Sequence, residues 1–423
     1  MLRSARDELR ALLAYRKEIQ AYDRDRLGYI QKRRKADGKN FRLDDYEVVI
    51  TDGPSAKKIL ADTNRTNFVN PDLYAARCPL DAAKQYTSDW MPARHNALQH
   101  MKRRRAAEHA TAVEEAFASY LRTVEGSRVD VTEVLKMASG QVMAELTFGR
   151  HGSQVAEMVR TSVHANLPIM NSSQVLPGWL PLPRVRRQRR RSRALRARVD
   201  EIVTNRQGSG KTESENLLDA IANGTGASRK QVVDAVQVCL LASFGVPGAA
   251  LSWSLAMLER DDEFAAMARK EAIGAPITSN ILEDAPIITA MVYEVLRLYP
   301  PAWLIARVAG SEIRLPDLTV APETTINIIL FSIHRDAKEW DMADSFEPRR
   351  WLEANGMRKG IFLPFGAGPR VCIGSHLGMI EIVTMLIVFL RAHRLTTVEL
   401  DATPDVRTLL VPRHFEAGIT KLG

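Results

Sequence analysis

The strongest constraint in this 423-residue chain is a run of 24 residues, 235–258, without one charged side chain. About 20 apolar residues suffice to cross a bilayer, so length alone permits a membrane span. The run, however, contains Gln237, Ser243, Gly245, Pro247, Gly248, Ser252 and Ser254, and acidic Asp234 and Glu259 bracket it. Membrane helices favour basic cytoplasmic flanks instead. A helix that is apolar on every face serves equally as the central helix of a large core. The run is therefore expected to be such a helix, which requires many others packed around it.

The remaining patterning agrees with a mainly α chain that has a minor β part. Helical periodicity dominates residues 55–274, with loops expected near Gly126 and Gly152 and at 167–183 and 207–212. It returns at 280–298, stops at Pro300-Pro301, and reappears in an apolar helix at 375–394. Short strands are expected at 41–43, 47–51, 305–308, 312–315 and 325–330, with more short strands in the tail. Residues 1–40 read as a polar, helical N-terminal segment. Arg3, Arg6, Asp7, Glu8 and Arg10 interrupt its start, so neither a signal peptide nor a transmembrane anchor is expected. No repeat or Gly/Ser- or Pro-rich linker divides the chain, which predicts one domain over 1–423. Cys78, Cys239 and Cys372 cannot all pair and fit no zinc spacing, so a reducing, cytoplasmic location is expected.

The net charge of +9 raises nucleic acid as a partner. Nine arginines lie between residues 184 and 198, at 184, 186, 187, 189, 190, 191, 193, 196 and 198. They equal the whole excess, so the rest of the chain is balanced. Such a run is most often the solvated face of a helix, and Leu195, Val199, Ile202 and Val203 recur behind it at helical spacing. Without aromatic interleaving or a zinc pattern, no nucleic-acid partner is expected.

The chemistry-bearing signal is Phe365-Gly366-Ala367-Gly368-Pro369-Arg370-Val371-Cys372-Ile373-Gly374, set before the last apolar helix. The glycines permit sharp turns and close approach. Cys372 precedes a helix N-terminus, where backbone N–H groups favour a thiolate. A thiolate in such a turn is able to ligate iron axially, and Arg370 is placed to meet a carboxylate of the same cofactor.

This string resembles the heme-binding loop of the cytochrome P-450 superfamily, with every fixed position filled. Other stretches fall in the family's order. Glu294-Val295-Leu296-Arg297 resembles its E-x-x-R motif, and Phe346 to Trp351 resembles the stretch whose arginine, Arg350, completes that ion-paired triad. Trp90-Met91-Pro92-Ala93-Arg94 resembles the W-x-x-x-R motif, and His334-Arg335-Asp336 and the Arg307 strand also fit. Separately, Glu294 with Arg297 or Trp90 with Arg94 would be ordinary helix pairs; their joint order beside the cysteine loop gives them weight. The resemblance implies the family's triangular helical prism around heme b, with small sheets at one side. It implies Cys372 as axial iron ligand and Trp90, Arg94, Arg307 and Arg370 as propionate partners, with Phe365, Gly366 and Gly374 shaping the loop.

One departure is informative. The family's central helix carries an acid followed by a threonine, which supply protons for dioxygen cleavage. Here the matching stretch is Ala242-Ser243-Phe244-Gly245-Val246-Pro247, with Gly245 for the acid and Val246 for the alcohol. Pro247 lacks an N–H, so the Ser243 carbonyl loses its helical partner and a local kink is expected. Ser243, Gly245, Val246 and Pro247 thus form an atypical oxygen-activation turn, and the Ser243 carbonyl or hydroxyl is expected to anchor a water.

By resemblance, Leu241, Phe244, Val246, Ala302, Trp303, Leu304 and Ile305 line an apolar substrate pocket, with core packing as their ordinary alternative. A hydrophobic small molecule, terpenoid or polyketide-like and of secondary metabolism, would fit. Lys102, Arg103, Arg104 and Arg105 fall where resembling proteins dock a ferredoxin, supplied by a ferredoxin reductase. The expected function is a monooxygenase with substrate- or water-assisted proton delivery. Peroxide-driven or redox-neutral chemistry and a non-catalytic heme-binding protein are the alternatives.

Overall fold

The structure is a computed structural model that describes residues 20–69, 80–101, 108–149, 152–170, 183–207, 218–219, 228–353, 361–406 and 408–422. Cys78, Lys102, Arg103, Arg104, Arg105 and the first 19 residues lie outside that set, and with them the expected docking run.

In chain order, α1 (Arg26–Asp37) leads into β1 (Asn40–Arg42) and β2 (Glu47–Ile50). Next come α2 (Gly53–Ala61), β3 (Asn67–Phe68), α3 (Leu80–His100), α4 (Ala110–Leu121) and β4 (Arg128–Asp130). The helical body continues with α5 (Val131–Phe148), α6 (Gly152–Met170), α7 (Pro183–Gln207), α8 (Arg229–Ser243), α9 (Val246–Leu258), α10 (Asp262–Gly274), α11 (Ile281–Asp284) and α12 (Pro286–Leu298). After it lie β5 (Leu304–Ala309), β6 (Ile313–Arg314), β7 (Thr319–Val320), β8 (Thr325–Ile329) and α13 (Leu330–Ile333). The chain closes with α14 (Ser375–Ala392), β9 (His393–Val406) and β10 (Leu410–Lys421).

Among the described residues, the strands form a five-stranded sheet in the order β1-β2-β8-β5-β3, a three-stranded sheet β4-β10-β9, and the pair β6-β7. Among the described strands, β2 and β8 pair in parallel, joining Glu47–Ile50 to Thr325–Ile329 across the helical body. The tail differs from the short strands expected there: β9 and β10 are 14 and 12 residues long and pair as one irregular hairpin. Alternating apolar residues of β10, including Phe415, Ala417 and Ile419, reach the main core and justify that length.

The uncharged run is a core element, but it is two helices. Every residue of α9 from Pro247 to Leu258 is buried. Trp253 stacks on Tyr299 with ring centroids 3.8 Å apart, and its Nε1 donates to the Leu410 carbonyl at 3.1 Å. The two hydroxyls of α9 find partners within the core, Ser252 with Thr132 at 2.7 Å and Ser254 with the Ala250 carbonyl. The stretches 229–258 and 375–392 are long and apolar enough to cross a membrane, yet most of each packs inside the protein.

Helix α12 fixes the second anchor of the fold. Glu294 and Arg297 are fully buried and paired twice, at 2.8 and 2.9 Å. Arg297 spends its remaining donors on the carbonyls of His334, Ala343 and Ser345. Glu294 also accepts from Arg350 at 3.2 Å, from Trp351 Nε1 at 2.8 Å and from the Glu347 N–H at 2.9 Å. A buried ion pair holds only when such extra hydrogen bonds satisfy both ions, and here they do.

Candidate active site

The cysteine loop is held open by its backbone. Gly366 and Gly368 sit at φ +71° and +69°, a left-handed conformation that glycine adopts without penalty. A side chain on Gly368 would also collide with the backbone of Leu60 and Ala61 at the end of α2. The Cys372 N–H donates to the Phe365 carbonyl at 2.8 Å, and Gly366 N–H to Leu363 at 2.9 Å, closing the turn. Cys372 therefore emerges two residues before the N-cap Gly374 of α14, as its spacing predicts. Cys372 is exposed, yet burial by the surrounding protein pushes its thiol pKa up. The Gly374 N–H and the Arg94 guanidinium oppose that shift.

Three arginines converge on this loop from three elements. Arg94, one turn after the buried Trp90 on α3, donates to the Val371 carbonyl. Arg370 donates to Asn64 Oδ1 and Thr87 Oγ1, both at 3.0 Å, and lies over the Tyr86 ring. Arg307, on β5, donates to Thr63 Oγ1 at 3.0 Å and to the Ala306 carbonyl. None of the three forms an ion pair with a described carboxylate. Burial, and then the neighbouring Arg370 charge, together hold the Arg307 pKa down to about 10; burial likewise lowers Arg370 to about 10. Arg94 is lowered by burial as well. Clustered, desolvated guanidiniums without counter-charge are costly, and they are satisfied by anionic groups brought from outside. A thiol in a glycine turn beside this cluster fits a macrocycle that carries iron and two carboxylates.

The profile of the family described as "Cytochrome P450" matches residues 19–414. The chain belongs to the cytochrome P450 family. Relatives include an 11-oxo-beta-amyrin 30-oxidase of Glycyrrhiza uralensis, 26% identical over 319 residues, which are 68% of this chain and 60% of that protein. Cytochrome P450 72A397 of Kalopanax septemlobus is 28% identical over 63% of this chain and 57% of its own length. An echinocystic acid 23-monooxygenase of Saponaria officinalis is 25% identical over 60% and 55%. The matches thus span about 60% or less of these relatives. The P450DA heme domain superposes with TM-score 0.78 at 18% identity, covering 93% of this chain and 92% of that one. The retinoic acid-bound cyanobacterial CYP120A1 gives 0.77 at 19%, covering 93% and 94%. These likenesses show that the chain has the P450 fold, a mainly helical body with small sheets. The cofactor of the P450 family is heme b; in this chain Cys372 would ligate its iron, and Arg94, Arg307 and Arg370 would hold its propionates.

Against this P450 frame, several pocket residues expected from sequence lie elsewhere. Phe244 is buried against α5, where a methyl on Gly140 would overlap its ring. Trp303 belongs to a separate cluster with Leu27, Ile30, Phe41, Val49 and Phe331, and Leu304 packs on it. Pairing of β5 with β8, under the cover of α1, turns these side chains inward to that cluster. Ile305 does face the cysteine loop, 3.4 Å from the position of a Gly366 side chain. Leu241, Ser243 and Val246 are half-buried and Ala242 is exposed.

The atypical turn is a full break. Helix α8 ends at Ser243, Gly245 takes φ +86° as N-cap of α9, and Pro247 fills the first turn of α9. Among the described residues, the carbonyls of Leu241, Ala242, Ser243 and Phe244 and the N–H groups of Gly245, Val246 and Gly248 have no hydrogen-bond partner. The Ser243 hydroxyl turns back to the Leu240 carbonyl at 3.2 Å. On α8, burial pushes the Cys239 thiol up to about 12, and it sits within electrostatic range of Cys372 and Arg94. Thr63, Asn64, Tyr86 and Thr87, which orient the arginines, carry no sequence signal, because their partners are up to 306 residues away.

Proposed function

We propose that the chain is a heme-thiolate monooxygenase acting on a hydrophobic small molecule of terpenoid class. The observation that carries this reading is Cys372, presented just before α14 beside the guanidiniums of buried Arg94 and Arg307 and half-buried Arg370, none with a described carboxylate partner. When bound, the heme supplies dioxygen activation and oxygen transfer to substrate carbon. Relatives named for 11-oxo-beta-amyrin and echinocystic acid support the substrate class.

The residues of the chain set the proton supply. Gly245 and Val246 hold no titratable or hydroxyl proton where the family places both. The broken turn instead offers backbone carbonyls that need donors. A substrate hydroxyl or a water donating to Ala242 or Ser243 fits this polarity, and it would stand where protons are consumed. Electron supply by a ferredoxin belongs to the same proposal. A second reading, peroxide-driven chemistry, is favoured by the same turn, since peroxide brings its own protons.

The test starts with the reduced, carbon-monoxide-bound absorption spectrum. Cys372→Ala abolishes the thiolate-type band and Cys239→Ala retains it; a wild-type band from the Cys372 variant refutes the heme-thiolate assignment. Product and hydrogen peroxide are then measured with dioxygen plus reductant, and separately with peroxide alone. Faster product from peroxide alone selects the second reading, and product with neither oxidant a redox-neutral one.

A further inference from the structure

The outer face of the C-terminal hairpin carries a donor set that the heme chemistry does not use. Glu399 on β9 stands directly opposite Glu416 on β10, and His414 lies two residues before Glu416 on that strand. Side chains alternate across a strand, so His414 and Glu416 share a face. Phe415 and Ala417, on the other face, are buried in the main core. Core packing behind the strand therefore fixes where the outward side chains begin, and rigid strands hold a binding constellation better than loops do. Register shifts flank the face, between Pro412 and His414 and between Glu416 and Gly418. Such shifts re-aim side chains. One ligand atom from each of Glu399, His414 and Glu416 lies within 4.8 Å of the other two.

Arg128, on the neighbouring strand β4, bridges the two carboxylates, reaching Glu399 at 2.5 Å and Glu416 at 3.4 Å. One guanidinium against two carboxylates leaves a negative charge over, and like charges directly opposite on a sheet destabilise it. Nor does Arg128 account for His414, whose Nε2 faces Glu399 at 3.8 Å, beyond hydrogen-bond reach. We propose that Glu399, His414 and Glu416 bind a zinc ion, which displaces Arg128. Two carboxylates and a neutral imidazole match a divalent cation in charge. Zinc accepts three such protein ligands and completes a tetrahedron with water. Imidazole among the ligands favours it over magnesium and calcium. Bonds of about 2.0–2.2 Å set the ligand atoms of a tetrahedral zinc about 3.4 Å apart. Glu399 and His414 are exposed and Glu416 half-buried, so small rotations of these side chains close the set. The ion pairs of Arg128 are solvent-exposed, and such pairs contribute little. The bound ion ties β9 to β10 in the hairpin that also carries Val406 and Leu410 into the Trp303 cluster.

The heme-loaded chain is titrated calorimetrically with zinc chloride, and its thermal unfolding is followed with and without the metal. One zinc binds per chain at micromolar concentration and raises the unfolding temperature, whereas magnesium at the same concentration does neither. His414→Ala and Glu399→Gln each weaken the binding at least ten-fold and abolish the temperature shift. His164→Ala, which removes an exposed histidine elsewhere, leaves both unchanged. Arg128→Ala tightens the binding, because no guanidinium competes for the carboxylates. An unaltered carbon-monoxide spectrum shows that the variants are folded. Binding only at millimolar zinc overturns the proposal. So does undiminished affinity in the His414 variant, or weaker binding once Arg128 is removed.

Discussion

The ring of Phe244 occupies the space that a side chain on Gly140 would fill. This contact ties the break in the central helix to α5. Gly248 closes on the Leu135 carbonyl of the same helix, and the Lys136 stem covers Gly245 at 3.4 Å from its side-chain position. The break is thus held from outside, by the absence of side chains at Gly140 and Gly248 as much as by Gly245 and Pro247.

Gly140→Ala forces Phe244 out of this notch. Overpacking of this kind costs about 1–3 kcal/mol, less the fraction that alanine returns through its higher helix propensity. Urea unfolding measures the loss, and Gly140→Ala with Phe244→Leu recovers part of it. Full stability in the single variant would show that the ring has another place to go.

Trp351 is a member of the buried acid cluster that its motif does not announce. Its Nε1 donates to Glu294 at 2.8 Å, and a hydrogen bond to a charged group is worth about 1.5–3 kcal/mol. Trp351→Phe is expected to lower stability by that order and to reduce heme content at purification. Glu294→Gln costs more, about 3–5 kcal/mol, because it strands Arg297. Equal heme content in all three proteins would separate the cluster from cofactor uptake.

His334 predicts the acid limb of stability. Its Nδ1 donates to the Arg297 carbonyl and its Nε2 accepts from the Leu363 N–H, so the ring is neutral and burial holds its pKa down to about 3. The unfolded chain takes up a proton below about 6.5, which the folded ring refuses. Stability therefore falls as pH drops from 6.5 toward 3, by about 1.4 kcal/mol per unit from this group. His334→Gln keeps an acceptor for Leu363 and flattens this limb; denaturant midpoints between pH 7.5 and 4.5 report the difference.

Glu381 acts in the opposite direction. It is fully buried on α14, its Oε1 has no partner, and burial raises its pKa well above 4.5. The folded state keeps a proton that the unfolded chain releases above about 4.5. The stabilising contribution is present below that pH and is lost as pH rises toward the folded pKa. Glu381→Gln is expected to be more stable than the parent at pH 8 and equal to it at pH 4. A constant difference at both values would remove titration as the cause.

The chain itself determined what depends on local order. The cysteine loop, with glycines where φ must be positive and a helix after it, is legible because each requirement falls on a neighbouring residue. The uncharged run predicted burial for the same reason: no arrangement of residues 235–258 gives a polar face. Tertiary structure decided what depends on distant partners. Pro247 foretold a kink, but its extent, two helices with unpaired backbone groups between them, required Gly140 and Gly248 to admit Phe244 and α9. Phe244, Trp303 and Leu304 are apolar either way, so composition cannot tell a pocket wall from a core; α5 and the β5–β8 pairing chose the core. The arginines beside the cysteine loop carried their charge in the sequence. Their lack of carboxylate partners appeared only when α3, β5 and the loop before α14 met, because desolvation belongs to the assembled site and to no single segment.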